Sequence, residues 1–193
     1  MYNPIRDTMF WSIIRASPFI YFAYGLLNII TEPRFSSLFF TIAYGGNFIM
    51  NMILKVLSKG IYNAIATDYI FPFGQGSRPK GATNCGTFAF VSNPDALSFG
   101  MPSGHSQLAW FFSTYFILKI WQNIFTEDTY DIYNNLFNPR IIILLLIAIL
   151  VSYSRVKVEG CHTWGQVITG GVIGIISGFV VNYIEKNIKN MWN

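Results

Sequence analysis

The stretch Gly100-Met101-Pro102-Ser103-Gly104-His105-Ser106-Gln107 stands at the head of a long apolar run. Pro102 and Ser103 are residue types that favour the first turn and the cap of a helix. We therefore predict a helix that begins here, with Ser103, Gly104 and His105 at its positive end. Such an end attracts anions, phosphate above all, and a histidine there can exchange a proton near neutral pH.

The apolar stretches of the chain predict a membrane protein. Charged residues make up 11% of the 193 residues, against roughly 25% in soluble domains. A bilayer core needs about 20 apolar residues, and most of five apolar stretches approach that length, the fourth being short. The predicted spans are Phe10–Ile30, Phe35–Leu57, His105–Trp121, Ile141–Tyr153 and Trp164–Tyr183. A soluble helical protein is the alternative, but a domain of this size cannot bury five such helices from water.

The expected fold is therefore an all-α integral membrane domain of about five transmembrane helices, with residues 1–193 forming a single domain. The net charge of +4 is modest and the basic residues are dispersed, so nucleic acid is not an expected partner. Cys85 and Cys161 fit neither a zinc-binding pattern nor a disulfide framework, and the sequence leaves open whether they pair. No cluster of carboxylates predicts a metal site, and the oligomeric state is not indicated.

Basic residues follow the second predicted span. Lys55 and Lys59 are one helical turn apart and share a face, where they are either membrane anchors or phosphate ligands. The connection Ile61–Phe99 is too aromatic for a disordered segment, and a helix lying on the membrane is expected near Ile61–Ile70. Glycines around Arg78 suit the close approach of an anion, although a surface turn explains them equally well.

The alternation of five spans brings the ends of spans two and four to the membrane face where spans three and five begin. The residues that converge there are Lys55, Arg78, Ser103, His105, Arg155 and His162. Both histidines of the chain are in this set, which favours catalysis over a structural role. Arg15 lies near one end of the first span and is expected to reach the interface. Glycines at positions 170, 174 and 178 predict close packing of the fifth span on another helix.

These residues resemble three motifs of the type 2 phosphatidic acid phosphatase superfamily, which includes the vanadium haloperoxidases. The motifs are a lysine followed by Arg78-Pro79, then Pro102-Ser103-Gly104-His105, then Ser154-Arg155 followed by His162. The resemblance covers roughly Asn51–Val167. The stretches Gly100–Gln107 and His162–Val167 look most like the dolichyl diphosphatase branch.

The chain departs from the family pattern at three places. Phe71 occupies the position seven residues before Arg78 where the family usually has its lysine. We assign that role to Lys55, with an insertion before Arg78, and Lys59 remains a competitor. One more residue than usual separates Arg155 from His162. Gln166 replaces the acid that commonly orients the attacking histidine, as in the dolichyl diphosphatase branch.

The resemblance implies a helical bundle with its active site at one membrane face and a phosphatase that needs no metal or other cofactor. His162 would be the nucleophile, His105 the proton donor and then the base, and Gln166 the residue that orients His162. The implied phosphate ligands are Lys55, Arg78, Ser103, Gly104 and Arg155.

The substrate implied by the resemblance is a lipid phosphate within the membrane, with a polyprenyl diphosphate of the dolichyl type favoured. Phosphatidate or another phospholipid phosphate is the alternative substrate. A membrane protein that binds lipid phosphate without catalysis is the alternative of another class. The endoplasmic reticulum membrane is implied by the resemblance alone. Basic residues favour a cytoplasmic site by the positive-inside rule, but the excess disappears when Lys55, Arg78 and Arg155 are set aside as ligands.

Overall fold

The structure is a computed structural model that describes residues 8–82, 84–86, 98–126 and 138–192. Within these ranges the chain forms helices and one small antiparallel sheet. The helices are α1 (Met9–Arg15), α2 (Ser17–Thr31), α3 (Phe35–Ala64), α4 (Gly104–Thr126), α5 (Pro139–Tyr153) and α6 (Trp164–Trp192). The strands are β1 (Tyr69–Ile70) and β2 (Gly74–Gln75), and a π-helical turn at Ser154–Val158 follows α5.

All five predicted spans are helical, but the first is broken. Its two parts, α1 and α2, meet at Ala16 with a bend of 65°. Pro18 lies in the first turn of α2, where its missing N–H is tolerated. The same ring cannot continue a helix from the preceding turn. The bend directs the end of α1 toward the other helices.

The second span is longer than predicted. No proline lies between Phe35 and Ala64, and α3 continues past Leu57 to Ala64. The predicted surface helix at Ile61–Ile70 is therefore wrong. Its first residues complete α3, and its last two residues form β1. In β1 and β2, Tyr69 pairs with Gln75.

The bundle has the composition of an integral membrane domain. Three helical segments of the described chain are long and apolar enough to cross a membrane, and there are four if the bent pair of α1 and α2 is counted as one span. Large apolar side chains point outward from these helices, among them Val56, 72% exposed, and Ile42, 65% exposed. A soluble protein would bury such a surface. The predicted fold class is confirmed.

Helix α4 is the centre of the bundle rather than a lipid-facing span. Leu108, Ala109 and Phe111 are buried, and α4 packs along α6. Gly174 permits this approach, because a Cβ there would overlap the backbone oxygen of Gln107. The glycines at 170 and 178 also face α4, so the predicted packing stripe is confirmed.

Buried amide side chains fix α3 against α4. The Asn51 Nδ2 group donates to Gln107 Oε1 at 2.8 Å, and Gln107 Nε2 donates to Asn47 Oδ1 at 2.6 Å. Asn47 in turn donates to Ser177 Oγ on α6 at 2.7 Å. Buried amides need such partners. These hydrogen bonds fix the position of the start of α4 relative to α3 and α6.

Candidate active site

The start of α4 presents hydrogen-bond donors. The helix begins at Gly104, so Ser103 is the residue before it and Pro102 lies ahead of the first turn rather than within it. The Ser103 N–H donates to the Gln166 carbonyl at 3.0 Å, which ties α4 to α6. The Ser103 hydroxyl is buried, and no described residue hydrogen-bonds to it. The first N–H groups of a helix also lack helical acceptors, so this point suits an anion.

The imidazole of His162 has a defined orientation. Its Nδ1 lies 2.8 Å from Gln166 Oε1. The Gln166 Nε2 donates to the backbone oxygens of Gln75 and Ser77, at 2.9 and 2.6 Å. Because the Gln166 nitrogen is engaged by carbonyls, its oxygen must face His162 and accept the Nδ1 proton. The lone pair of His162 is therefore on Nε2.

Arg78 lies beside that lone pair. Its Nη1 is 3.3 Å from His162 Nε2 and donates to the Cys161 carbonyl at 3.0 Å. Its Nε and Nη2 donate to the backbone oxygen and the hydroxyl of Ser98, each at 2.8 Å. These contacts leave the guanidinium little rotational freedom and hold its plane at the edge of the site.

The strand pair explains how Arg78 reaches His162 despite the long insertion after Lys55. The hairpin folds back on the end of α3, where the Tyr62 hydroxyl donates to the Gly74 carbonyl at 2.8 Å. Its turn packs on the start of α6 at Gly165, where a Cβ would overlap the Phe73 carbonyl. The chain therefore returns to the site at Ser77 and Arg78.

Burial and positive charge keep His162 neutral. Removal from water lowers the pKa of the His162 imidazole well below its usual value, and the charges of Arg78 and Lys55 lower it further. The Gln166 hydrogen bond opposes this effect without reversing it. A neutral imidazole with its lone pair on Nε2 is a nucleophile or a base.

Arg155 is buried completely and is placed by the π-helical turn. Its Nη1 donates to the Cys85 carbonyl at 2.7 Å. Its own carbonyl accepts the N–H groups of Cys161 and His162, at 3.1 and 3.2 Å. A π-helical turn contains one residue more than an α-helical turn. The turn lies within the segment whose spacing, from Arg155 to His162, is expected to be one residue longer than the family pattern.

The two cysteines are joined, although their spacing did not predict a disulfide framework. Cys85 and Cys161 form a disulfide with a Cα–Cα distance of 6.4 Å. Arg78 Nη1 lies 3.5 Å from Cys85 Sγ, so the bridge is part of the wall of the site. Within the described chain, Cys85, Cys161 and His162 form the group whose spacing would suit a metal ion. Disulfide sulfurs are not thiolate ligands.

His105 meets a partner that the sequence did not indicate. Its Nε2 lies 3.1 Å from the backbone oxygen of Arg15, at the break between α1 and α2. Arg155, His162 and Arg78 are near enough to interact electrostatically with it. The two predicted histidines and two predicted arginines therefore converge.

The interpretation of Arg15 as an interfacial residue is wrong. Its side chain is 13% exposed, and its Nε donates to Glu159 Oε1 at 2.9 Å. Glu159 is also 3.7 Å from Arg155 Nη2. The sequence analysis missed Glu159, although a lone acid between Arg155 and His162 in an apolar, basic region was a signal.

The two candidate lysines have different surroundings. Lys55 Nζ donates to the Phe99 carbonyl at 2.7 Å and lies 3.4 Å from the Gly100 oxygen. Gly100 packs directly on the Gln166 amide, so Lys55 is adjacent to the site. Lys59 is exposed on the same helix.

The sequence profile of the PAP2 superfamily, the type 2 phosphatidic acid phosphatases, matches residues 38–189. Dolichyldiphosphatase 1 of Homo sapiens is 42% identical over 77 residues, which are 39% of this chain and 32% of the human protein. Dolichyldiphosphatase 1 of Mus musculus is 38% identical over 91 residues, which are 47% of this chain and 38% of the mouse protein. The chain thus matches about a third of the length of these curated relatives.

The crystal structure of a transmembrane PAP2 type phosphatidylglycerolphosphate phosphatase from Bacillus subtilis has a similar fold. The TM-score is 0.58, with 19% identity, covering 94% of this chain and 80% of the bacterial one. At this identity the likeness concerns the arrangement of the helices.

Proposed function

The chain belongs to the PAP2 superfamily, and from that premise we propose that it is a metal-independent membrane phosphatase for lipid phosphates or diphosphates. The observation that carries the proposal is the geometry of His162. Its Nδ1 is held by Gln166 at 2.8 Å, and its Nε2 faces the Arg78 guanidinium at 3.3 Å. A nucleophilic nitrogen beside a phosphate-binding group is the arrangement that attack on phosphorus requires.

In the proposed reaction, His162 Nε2 forms a bond to phosphorus as the bond from phosphorus to the leaving oxygen breaks. His105 donates its proton to that oxygen and then takes a proton from the water that cleaves the phosphohistidine. The charge on the transferring group is stabilised by Lys55, Arg78 and Arg155. Donors at Ser103 and Gly104 add to this stabilisation.

The favoured substrate is a polyprenyl diphosphate of the dolichyl type, attacked at its terminal phosphorus so that the lipid monophosphate leaves. The partial identity to two dolichyldiphosphatases supports this choice. The match to these relatives falls on a stretch of 77 to 91 residues, and a phospholipid phosphate is the alternative substrate. An endoplasmic reticulum membrane belongs to the same proposal.

The experiment is phosphate release from purified protein in detergent. The substrates are a polyprenyl diphosphate, a polyprenyl monophosphate, phosphatidate and phosphatidylglycerol phosphate. We expect the polyprenyl diphosphate to have the highest kcat/KM and His162→Ala to release no phosphate while remaining folded. Acid-labile labelled phosphate trapped on the wild type and absent from His162→Ala would support the covalent intermediate. Full turnover by His162→Ala would refute the nucleophile, and no release from any substrate would refute the function.

Metal independence is tested separately. We expect the activity to survive excess chelator, since the proposed neutralising charges are side chains of the protein. Loss of activity with chelator and recovery with magnesium would contradict the proposed mechanism.

A further inference from the structure

A buried carboxylate lies at the site end of the bundle and has no part in the reaction proposed above. The side chain of Glu159 is fully enclosed. Its Oε1 accepts from Arg15 Nε at 2.9 Å and is 3.7 Å from Arg155 Nη2. A buried carboxylate is costly unless cations or hydrogen-bond donors surround it, as they do here. Glu159 therefore joins the end of α1 to the π-helical turn that places Arg155.

Arg15 also contacts the site through its backbone. Helix α1 ends at Arg15, and its carbonyl oxygen lies 3.1 Å from His105 Nε2. A carbonyl only accepts, so Nε2 is the protonated nitrogen. To protonate a leaving oxygen, the ring must therefore be an imidazolium, which keeps its Nε2 proton on the Arg15 carbonyl and gives up its Nδ1 proton. The position of Arg15 thus determines the orientation of the His105 ring.

We propose that Glu159 is a positioning residue of the phosphatase site. By bridging Arg15 and Arg155, its carboxylate aligns a phosphate-binding arginine and, through the Arg15 carbonyl, the histidine that protonates the leaving oxygen. The inference rests on the proposed function. It adds a connection between two groups that lie on separate elements, the π-helical turn and α4.

The test of this role is to remove the charge of Glu159. Glu159→Gln keeps the size of the side chain and one acceptor oxygen but weakens the hold on both arginines. A misaligned His105 slows a reaction most when the leaving oxygen is strongly basic and needs a proton. An aryl oxygen leaves with little help from an acid. The loss should therefore depend on the leaving group, which a general loss of folded protein would not.

The chain offers a matched control at the far end of α4 and α6. Glu185 is also fully enclosed, with Lys119 Nζ at 2.8 Å and Lys189 Nζ at 3.0 Å. Glu185→Gln removes the charge of a buried carboxylate between two cations without touching the site. It reports what such a change does to stability alone.

The experiment measures kcat and KM of the wild type, Glu159→Gln, Arg15→Gln, the double variant and Glu185→Gln. The substrates are an alkyl phosphate and an aryl phosphate that carry the same apolar chain. For Glu159→Gln we expect kcat for the alkyl ester to fall by about tenfold or more, and by less for the aryl ester. We expect the same pattern for Arg15→Gln, with the double variant no worse than Glu159→Gln alone, since Arg15 acts through Glu159. Glu185→Gln should lower the unfolding temperature and keep the wild-type ratio of the two rates.

Two outcomes would overturn the positioning role while the wild type remains a phosphatase. One is that Glu159→Gln and Arg15→Gln lose the same factor of activity on both esters. The other is that these variants change the unfolding temperature and nothing else. A wild type inactive on both esters and on the lipid panel would overturn the proposed function, and this inference with it. If Glu159→Gln does not fold, Arg15→Gln is judged by the same criterion, since it keeps the backbone carbonyl that contacts His105.

Discussion

At the scale of single residues, Gln166 differs most clearly from the family pattern. An acid at that position would accept the proton of His162 Nδ1, and so does the Gln166 oxygen. The Gln166 nitrogen has a second task, since it donates to the carbonyls of Gln75 and Ser77. A carboxylate has no donor for these carbonyls. The amide therefore holds both His162 and the hairpin that leads to Arg78.

We predict that Gln166→Glu is less active than the wild type even though it restores the usual acid. The carboxylate would face two carbonyl oxygens and leave both without a donor, at a cost of about 1–3 kcal/mol each. Thermal unfolding and turnover of the folded fraction measure the two effects. Gln122→Glu is the control, because it replaces an amide that donates to Asn182 Oδ1 at 2.6 Å far from the site. Wild-type turnover in Gln166→Glu would show that only the acceptor matters.

The lysines of α3 give a second prediction at this scale. Lys55 is half-buried against the carbonyls of Phe99 and Gly100, whereas Lys59 is exposed to solvent that weakens its interaction with phosphate. We expect Lys55→Ala to lower turnover by about a hundredfold or more, as for a lost transition-state contact. Lys59→Ala should act mainly on KM, and by less. Both variants are measured in the same detergent with the same substrate. An inactive Lys59→Ala variant would mean that the lysine of the first motif is Lys59, one helical turn from the residue we assign.

The sequence singled out both histidines, Arg78 and Arg155, and the structure places them near one another. The sequence did not indicate the residues that support them. Arg15 was misread, since its partner Glu159 is 144 positions away in the chain. A buried ion pair between elements so distant leaves no periodic pattern in a sequence. The disulfide escaped prediction for the same reason, with a sequence separation of 76.

At the scale of elements, two irregular segments bring the motifs together. The hairpin at Tyr69–Gln75 returns the chain from the end of α3, and the π-helical turn at Ser154–Val158 contains the buried Arg155. Helices are predictable from long apolar runs. A two-residue strand pair and a single wide turn depend on tertiary contacts, such as the donation from Tyr62 to Gly74. These local elements could not be predicted from the sequence.

The disulfide gives the prediction at this scale. It connects the segment after the hairpin to the residue before His162, and the Cys85 carbonyl also binds Arg155. We expect dithiothreitol to lower both the unfolding temperature and the phosphatase activity. A cross-link over so long a loop reduces the conformational entropy of the unfolded chain, which raises the free energy of unfolding by about 4 kcal/mol. Thermal unfolding and turnover are measured with and without the reductant.

The control is Cys85→Ser combined with Cys161→Ser, which should resemble the reduced wild type and not respond to dithiothreitol. A thiol titration of the unfolded, unreduced wild type should find no thiols, since both cysteines of the chain are paired. Two reactive thiols in that titration would contradict the bridge.

At the scale of the whole molecule, the helical bundle followed from the apolar runs, but the role of each helix did not. The third predicted span became the buried centre, α4, with Ala109 and Phe111 inaccessible to solvent. An apolar composition is compatible both with a helix that contacts lipid and with a helix that is surrounded by other helices, so it could not predict the position of α4. The bend of 65° in the first span brings Arg15 to the site. The sequence contains Pro18, which explains why the helix bends, but it does not indicate the direction of the bend.

The membrane orientation is the last prediction, and the disulfide decides it. The topology predicted from the sequence assigns eight of the 13 basic residues to the site side and five to the other side. Setting aside Lys55, Arg78 and Arg155 as phosphate ligands makes the sides equal, so the positive-inside rule gives no orientation. Disulfides persist in oxidising compartments and are rare in the cytosol. We therefore expect the site to face away from the cytosol.

Single introduced cysteines test this orientation, since the natural pair offers no thiol. Lys59→Cys lies on an exposed position at the site side, and Lys186→Cys on an exposed position near the opposite end of α6. In sealed vesicles with their cytosolic face outward, a membrane-impermeant maleimide should label Lys186→Cys at once. It should label Lys59→Cys only after the vesicles are opened with detergent. The reverse labelling pattern would place the site on the cytosolic side. The Cys85–Cys161 bridge would then be exposed to cellular thiols, and a lipid phosphate would have to be hydrolysed on the cytosolic leaflet.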